Sequence, residues 1–307
     1  MNRISRILLL TIILISYESF HSQVVALCQG RGHLYVIGTG PAGPQMATLQ
    51  AVEKIEQMDA IVAWEEHVKL FAKYVGDKPV LFDPWKGIWD YKGKPYRKLN
   101  REEMAIFKGE RFRIRDERVA RIKRLLSEGK NVGLLDSGNP CLFGPSHWYV
   151  EQFDPKDVVI IPGMGCDAAA MALVGKSTIP AHSTRFVMQT APFFLLDNDM
   201  KDLQILKSLS RYQTTMIFYM ALNQPKRLFL TLGKVLPADM PCAVVYWAGY
   251  PDRQRIIRGT VSDMGEKLSD DREMFMGLLF IGRFLEGKPY EEAQKRLHQS
   301  NQIPDPP

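Results

Sequence analysis

The chain has 307 residues, of which 46% are hydrophobic and 24% are charged. This composition excludes a disordered chain, and the length suffices for one large or two modest α/β domains with buried cores. The formal net charge is +6, from 40 basic and 34 acidic residues. Such a small excess does not indicate a nucleic-acid partner unless the basic residues are concentrated in one region.

The N-terminal segment has the pattern of a secretory leader. Arg3 and Arg6 precede an apolar run at 7–15, and small residues at 24–26 offer a cleavage site. The run is too short to cross a bilayer unaided, since a crossing takes about 20 apolar residues. We predict a signal peptide or an N-terminal anchor over residues 1–26, which indicates export or membrane contact.

A glycine-rich turn, 38–43, follows the first predicted strand at 34–37 and precedes a predicted helix at 46–57. Glycines let a backbone approach a ligand closely, and a helix N-terminus adds free N–H donors and the positive end of the helix dipole. This arrangement indicates a ligand of nucleotide type.

Taken literally, the turn fits the G-x-G-x-x-G pattern of dinucleotide-binding folds, and Glu65 or Glu66 follows at about the expected distance of 20 residues. A nicotinamide or flavin site is therefore the first alternative. Pro41 weighs against it, because proline removes an N–H where a diphosphate needs a donor.

Further strands and helices alternate along the first half. Strands are predicted at 60–64, 79–82, 131–136 and 158–161, with a helix at 65–75 and turns of Gly and Pro at 137–140 and 162–165. This alternation predicts a mostly parallel sheet that binds ligands at the carboxyl ends of its strands. The turns after the first, fourth and fifth strands would then meet at one edge and form a cleft.

Basic residues are concentrated between Lys86 and Lys130, a segment that contains 15 Lys and Arg but only seven Asp and Glu. One interpretation is a solvated helix capped by Asp116. In that helix Val119, Ile122, Leu125 and Leu126 would face inward, and Arg118, Arg121 and Arg124 would face water. The other interpretation is that some arginines bind a substrate carboxylate. The segment 86–98 favours the latter, because its cations alternate with aromatic residues without a regular period, as in a functional loop.

The cysteine and histidine spacings do not indicate a metal site or a disulfide framework. Cys28, Cys141, Cys166 and Cys242 form no C-x-x-C pair, and the six histidines show no zinc spacing. The sequence also has no G-x-S-x-G elbow and no Walker loop.

The second half begins with a helix of small residues at 168–174, and strands are predicted at 215–220, 242–247, 255–260 and 278–280. We therefore predict an N-terminal unit over residues 31–166 and a C-terminal unit over residues 167–300. The ligand sites are expected at the seam between them.

The turns and strands at 38–43, 137–140, 143–144, 162–164, 218–220 and 255–259, in this order, resemble those of the tetrapyrrole methylase family. Its members depend on S-adenosylmethionine and include uroporphyrinogen and precorrin methyltransferases and diphthine synthase. The resemblance covers roughly residues 33–285. It implies an α/β fold of two unlike α/β domains, a methyl donor in the cleft between them, and a homodimer.

Carried over by position, the resemblance implies these cofactor-binding residues: Gly40, Pro41, Ser137, Gly138, Asn139, Leu142, Gly165, Cys166, Met220 and Gly249. Two positions depart from the family pattern. Asn139 stands where the family has an aspartate in its Gly-Gly-Asp-Pro turn, and Gly165 replaces a threonine or serine. Backbone groups do much of the work in donor binding, so we still expect the methyl donor, but the standard porphyrin substrates are in doubt.

The implied reaction is a direct displacement, which needs alignment and a cleft poor in water rather than a metal. The carboxylates of a tetrapyrrole would pair with Arg97, Arg111 or Arg113, and we hypothesise that Tyr96 and His147 touch the substrate. The predicted catalytic set is thus Tyr96, Arg97, Arg111 and His147.

Two alternatives remain open at this point. Peptide-backbone N-methyltransferases of the same superfamily look similar around residues 138–147 and use tyrosine and arginine, so the substrate is a small molecule or a peptide. A non-catalytic protein that binds S-adenosylmethionine or a tetrapyrrole is the second alternative. The leader motivates it, since the methyl donor is made in the cytoplasm.

Overall fold

The computed structural model describes residues 30–181, 184–192 and 200–300, and the predicted leader lies outside them. The chain divides into two compact units between Gly163 and Met164, and each is described here by itself. The domain limits predicted from the sequence, 31–166 and 167–300, stay a prediction. Among the described helices, none combines the length and apolar character that crossing a membrane requires.

The first unit contains a four-stranded parallel sheet with the order β2-β5-β1-β6. The six strands of this unit, two of which form a separate hairpin, are β1 (Leu34–Gly38), β2 (Ala60–Val62), β3 (Asp90–Tyr91), β4 (Lys94–Pro95), β5 (Val132–Asp136) and β6 (Val158–Ile161). The sheet residues are mostly buried and apolar, because hydrophobic clusters cover both faces. The predicted parallel sheet is confirmed. The strand predicted at 79–82 is wrong in extent, since only one bridge, between Ile61 and Val80, forms there.

The helices of the first unit are α1 (Leu49–Gln57), α2 (Glu65–Leu70), α3 (Ala72–Val75), α4 (Arg101–Ser127) and α5 (His147–Val150). Helix α1 begins later than predicted. The Thr48 side chain caps it by accepting from the Ala51 N–H at 3.1 Å, and a short 3₁₀ turn (Pro44–Met46) separates it from the glycine turn. The predicted placement of a helix N-terminus directly after that turn is therefore wrong.

Helix α4 has 27 residues and begins at a capping box, in which Asn100 and Glu103 each accept from the other's backbone N–H. The predicted cap at Asp116 is wrong, because that residue lies inside the helix. Val119 and Ile122 are buried as expected. The expectation that Arg118 faces water is also wrong, since its guanidinium donates to backbone carbonyls.

The second unit has a five-stranded mixed sheet with the order β10-β9-β11-β8-β7, in which only the β7–β8 pair is parallel. Its elements are α6 (Cys166–Val174), β7 (Phe186–Thr190), α7 (Met200–Leu209), β8 (Thr214–Phe218), α8 (Pro225–Leu232), β9 (Pro241–Tyr246), β10 (Arg255–Thr260), α9 (Met264–Lys267), β11 (Gly277–Ile281) and α10 (Pro289–Ser300). One parallel sheet and one mainly antiparallel sheet confirm the class of two unlike α/β domains.

A buried histidine ties α2 to the sheet. His67 is 3% exposed, hydrogen-bonds the Leu135 carbonyl, and its Nδ1 has no hydrogen-bond partner among the described residues. Burial lowers the pKa of His67 from 6.5 to about 4. The unfolded chain therefore binds a proton between these pH values that the folded chain does not bind, so the folded state loses stability as the pH falls.

We expect the His67→Gln variant to lose less stability in acid than the wild type. The pKa of His67 falls from 6.5 to about 4 on folding, which corresponds to about 3 kcal/mol of unfolding free energy lost across that window. Urea unfolding at pH 7 and at pH 4.5 measures the difference. An identical pH dependence in both proteins would contradict the assignment.

Candidate active site

Three strands of the first unit end at the same level. Gly38 at the end of β1 lies opposite Asp136 at the end of β5, and Ile37 lies opposite Ile161 at the end of β6. The turns that follow these strands, at 39–43, 137–140 and 162–163, therefore leave the same edge of the sheet. This confirms the expectation that the three turns share one edge, where parallel sheets bind ligands.

The backbones of these turns contact one another directly. Gly40 and Gly138 form a two-way bridge, with N···O distances of 3.4 and 2.8 Å. A Cβ atom on Gly38 would lie 2.5 Å from the Gly163 nitrogen, and a Cβ on Gly163 would lie 2.1 Å from the Gly138 oxygen. Only glycine fits at Gly38 and Gly163 for this reason. Gly40 and Gly138 favour glycine for another reason, because their φ angles are 76° and 80°.

Several residues for which the resemblance implies donor binding lie in these turns or directly after them. The Asn139 Oδ1 atom accepts from the Cys141 N–H at 3.0 Å, so the amide closes the turn as a carboxylate would. Pro41 is buried beside the Gly40–Gly138 bridge, whereas Leu142 is 38% exposed.

A buried carboxyl group lies at the same edge and was missed by the sequence analysis. Asp136 is 3% exposed, and burial raises its pKa although the Ser146 hydroxyl and the Ser137 N–H oppose this shift. Its Oδ2 atom has no hydrogen-bond partner within the described residues. A buried acceptor without a partner makes Asp136 a candidate site residue. The signal was an ionisable residue at the end of an otherwise apolar strand.

The other cofactor-binding candidates lie in the second unit. Gly165 caps α6, and the next residue, Cys166, has a thiol whose pKa burial raises to about 11, so this thiol is neutral and not a nucleophile. Met220 follows β8 in a left-handed conformation with φ of 55°, and Gly249 follows β9 with φ of 90°. A non-glycine residue in that conformation is costly, and such positions cluster at functional sites.

The substrate-side candidates fall in the first unit. Tyr96 begins a 3₁₀ turn (Tyr96–Lys98), and its ring centre lies 6.1 Å from that of Trp89. Arg97 shares this turn, but its side chain lies outside the described residues. The Arg111 Cζ atom lies 5.2 Å from the Trp89 ring centre, so the structure brings Tyr96 and Arg111 to the same indole. His147 begins α5, directly before Trp148.

Arg111 is enclosed by aromatic rings. Its Cζ atom lies 5.2, 5.3 and 5.1 Å from the ring centres of Trp89, Phe107 and Trp148. Burial lowers the pKa of Arg111. Among the described residues its Nε atom has no hydrogen-bond partner, and no carboxylate forms an ion pair with it. The neighbouring Arg113 is different, because Glu110 and Glu117 on its own helix already pair with it. Arg113 is therefore a poor partner for a substrate carboxylate.

A pocket of about 280 Å³ lies against Arg111, and it is lined by Trp89, Arg111, Gly144, Pro145, Trp148 and Glu151. Its two indoles, one guanidinium and one carboxylate offer flat apolar surface together with both charges. Trp148 and Glu151 are not among the site residues predicted from the sequence. Their separation of three residues, which places two side chains on one face of a helical turn, was the available signal.

The comparison with known families agrees with this geometry. The profile of the family described as Tetrapyrrole (Corrin/Porphyrin) Methylases matches residues 33–265. The chain belongs to this family. It is a methyltransferase, and S-adenosylmethionine is its methyl donor.

Individual relatives extend over most of the chain. The cobalt-precorrin-4 C(11)-methyltransferase of Methanocaldococcus jannaschii is 26% identical over 270 residues, which cover 87% of this chain and 92% of that protein. A solved cobalt-precorrin-4 methyltransferase matches with a TM-score of 0.62 and 22% identity, over 83% of this chain and 96% of its own. Uroporphyrin-III C-methyltransferase from Thermus thermophilus, complexed with S-adenosyl homocysteine, matches with a TM-score of 0.53 and 17% identity, over 83% and 99% of the two chains. These two structures support the fold.

We expect Gly163→Ala to weaken S-adenosylmethionine binding by tenfold or more, because its Cβ would lie 2.1 Å from the Gly138 oxygen and force the turns apart. Isothermal titration with S-adenosylmethionine measures the loss. Gly109→Ala is the matched control, since Gly109 is exposed inside α4 with nothing within 4 Å of the added methyl. That change should leave donor affinity alone and raise stability by about 1 kcal/mol. Equal donor affinity in both variants would contradict the role of the packed turns.

Proposed function

We propose that this protein methylates a tetrapyrrole that bears carboxylate groups. The observation that carries the proposal is Arg111, a cation held by three aromatic rings beside a pocket and without a carboxylate partner in the described chain. A partly desolvated guanidinium of this kind favours a bidentate anionic ligand. The indoles of Trp89 and Trp148 offer flat surfaces to a pyrrole ring.

The relatives support this substrate class. Two of those compared above are named as cobalt-precorrin-4 methyltransferases and one as a uroporphyrin-III C-methyltransferase, and these names describe methyl transfer to tetrapyrroles. Methylation of a peptide backbone and non-catalytic binding, the two alternatives from the sequence, have no comparable support. Homodimerisation, export and membrane contact through the leader stay predictions.

In the proposed reaction the donor supplies a methyl group with a sulfonium leaving group. The electron-rich carbon of a pyrrole ring would attack that methyl group, and the sulfur would retain the electrons of the broken bond. The positive charge that passes to the pyrrole would be lost as its N–H proton. The protein's part is to align the two reactants and to keep water out. Arg111 holds a carboxylate of the substrate, while Tyr96, Arg97 and His147 complete the proposed substrate side.

The proposed donor side consists of backbone-rich positions. In the first unit these are Gly40, Pro41, Ser137, Gly138, Asn139 and Leu142, and in the second unit Gly165, Cys166, Met220 and Gly249. The buried acceptor Asp136 joins the first group. Short main-chain turns suit this role because their geometry is fixed before the ligand arrives.

The direct test is turnover with S-adenosylmethionine carrying a labelled methyl group. Uroporphyrinogen III and precorrin-4 are the first substrates to offer, because relatives are named for them. We expect label in the tetrapyrrole, detected by mass spectrometry. Donor binding without transfer to any tetrapyrrole would contradict the proposal, and label in a peptide instead would identify the other substrate class.

We expect Arg111→Gln to raise the KM for the tetrapyrrole about tenfold to a hundredfold, because a charge-assisted hydrogen bond contributes about 1.5–3 kcal/mol. Donor affinity should stay within about twofold. Steady-state kinetics and isothermal titration measure the two quantities.

Arg113→Gln is the matched control, since it removes the same charge two residues along the same helix, where Glu110 and Glu117 neutralise it. We expect its KM to equal that of the wild type. Equal effects of the two changes would show that only net charge matters and would overturn the role of Arg111.

A further inference from the structure

Residues 83–98, here called the strap, run along one stripe of helix α4. Its contacts, from one end to the other, pair Pro84 and Lys86 with Arg118, Gly87 with Ile114, Trp89 with Arg111, Tyr91 with Phe107, and Lys94 with Glu103. The helix residues recur every three or four positions, which places them on a single face. The strap therefore runs antiparallel to α4, and Trp89 is its contribution to the substrate pocket.

One end of the strap is held by a small hydrogen-bond network. The Arg118 Nη1 atom donates to the Pro84 carbonyl at 3.1 Å, and Nη2 donates to the Lys86 carbonyl at 2.8 Å. Nη1 also donates to the Tyr149 hydroxyl at 3.1 Å, and that hydroxyl donates to the Pro84 carbonyl at 2.7 Å. Tyr149 is fully buried, so its hydroxyl is held in place and anchors the network.

These contacts differ in kind from those further along the strap. The bonds of Arg118 are charge-assisted and are made to backbone atoms, so they fix the path of the chain itself. The Lys94–Glu103 pair joins two long side chains that are 43% and 31% exposed, a type of ion pair that contributes little. The firmest attachment of the strap is therefore at Pro84 and Lys86.

The attachment at Pro84 and Lys86 is connected to Trp89 by a short, well-packed segment of the strap. Ile88 is fully buried, and its N–H donates to the Trp85 carbonyl at 3.0 Å. Trp85 in turn packs edge-on against Tyr149, with ring centres 6.2 Å apart. Trp89 directly follows Ile88 in the chain, and its ring lies against the Arg111 guanidinium.

We propose that Arg118, with Tyr149, is the positioning residue of the substrate pocket: it fixes the strap so that Trp89 lies against Arg111. This inference rests on the proposed function, because it assigns Arg118 to the tetrapyrrole side of that reaction. Arg118 itself does not line the pocket. It acts through the strap, so its loss affects substrate affinity and not donor binding.

The geometry requires arginine at this position. Two carbonyls and one hydroxyl accept from the two terminal nitrogens of one planar fork, which a single ammonium group cannot match. Arg118→Gln removes the fork, and Tyr149→Phe removes only the hydroxyl while keeping the buried ring. Arg121→Gln is the matched control, because Arg121 makes a similar bond at 2.8 Å to the Leu81 carbonyl, which precedes the strap.

Two independent measurements test the proposal. The first is amide hydrogen exchange at Ile88 and Tyr96, whose N–H groups bond within the strap to Trp85 and Trp89. We expect exchange at least tenfold faster in Arg118→Gln, a smaller increase in Tyr149→Phe, and no change in Arg121→Gln. This measurement needs no substrate, so it holds whether or not the protein methylates tetrapyrroles.

The second measurement is affinity for a tetrapyrrole. We expect the KM for the tetrapyrrole, and the Kd of uroporphyrin III as a non-reacting probe, to rise at least tenfold in Arg118→Gln. The kcat and the Kd of S-adenosylmethionine should stay within about twofold. Unchanged exchange in the strap of Arg118→Gln would overturn the inference. Equal losses of affinity for the tetrapyrrole and for S-adenosylmethionine in both Arg118→Gln and Arg121→Gln would mean a general structural effect and would also overturn it. A wild-type protein that methylates no tetrapyrrole would instead overturn the proposed function.

Discussion

The direct contact between the backbones of three turns is the constraint on which the first unit depends. Gly38, Gly138 and Gly163 approach so closely that no side chain fits between them. This contact requires β1, β5 and β6 to end at one level, and it places Asn139 and Asp136 at the same edge. The edge thus consists largely of main chain, and the Asn139 amide oxygen can close its turn by accepting from the Cys141 N–H, as a carboxylate oxygen would.

The strands and turns of this edge were predicted well from the sequence. Buried parallel strands appear as short apolar runs, and the glycines that a tight turn needs lie within the turn itself. Helix limits were less accurate. The apolar period of α4 is regular only from Val119 onward, which predicts a helix start near Asp116 rather than at Arg101. The earlier part of the helix is covered by the strap through Arg111, Phe107 and Glu103. Contacts between cations, rings and backbone leave no apolar period for a sequence analysis to detect.

The candidate site was predicted only in part, because the contacts that form it also leave no regular pattern in the sequence. Tyr96 and Arg111 were named as partners of the substrate that the resemblance implies, and they do approach the same indole. The residue type alone does not show whether an arginine is available to a ligand or is already paired with neighbouring carboxylates. Arg113 lies two positions from Arg111, so it faces another side of the helix and pairs with neighbours there. The spacing of Trp148 and Glu151 places them on one face of a helical turn, but only the contact of Trp148 with Arg111 of α4 assigns them to the pocket.

The strap also limits how this part of the chain can change in length. Its contacts follow one stripe of α4 from Glu103 to Arg118, and inserting or deleting a single helix residue between them would rotate half of the stripe by about 100°. Half of the strap would then lose its partners. Changes of three or four residues, close to a whole turn, would keep the stripe, provided that the strap changes by about two residues to match the helix rise. The lengths of the strap and of α4 are therefore expected to vary together among relatives, in steps of one helical turn.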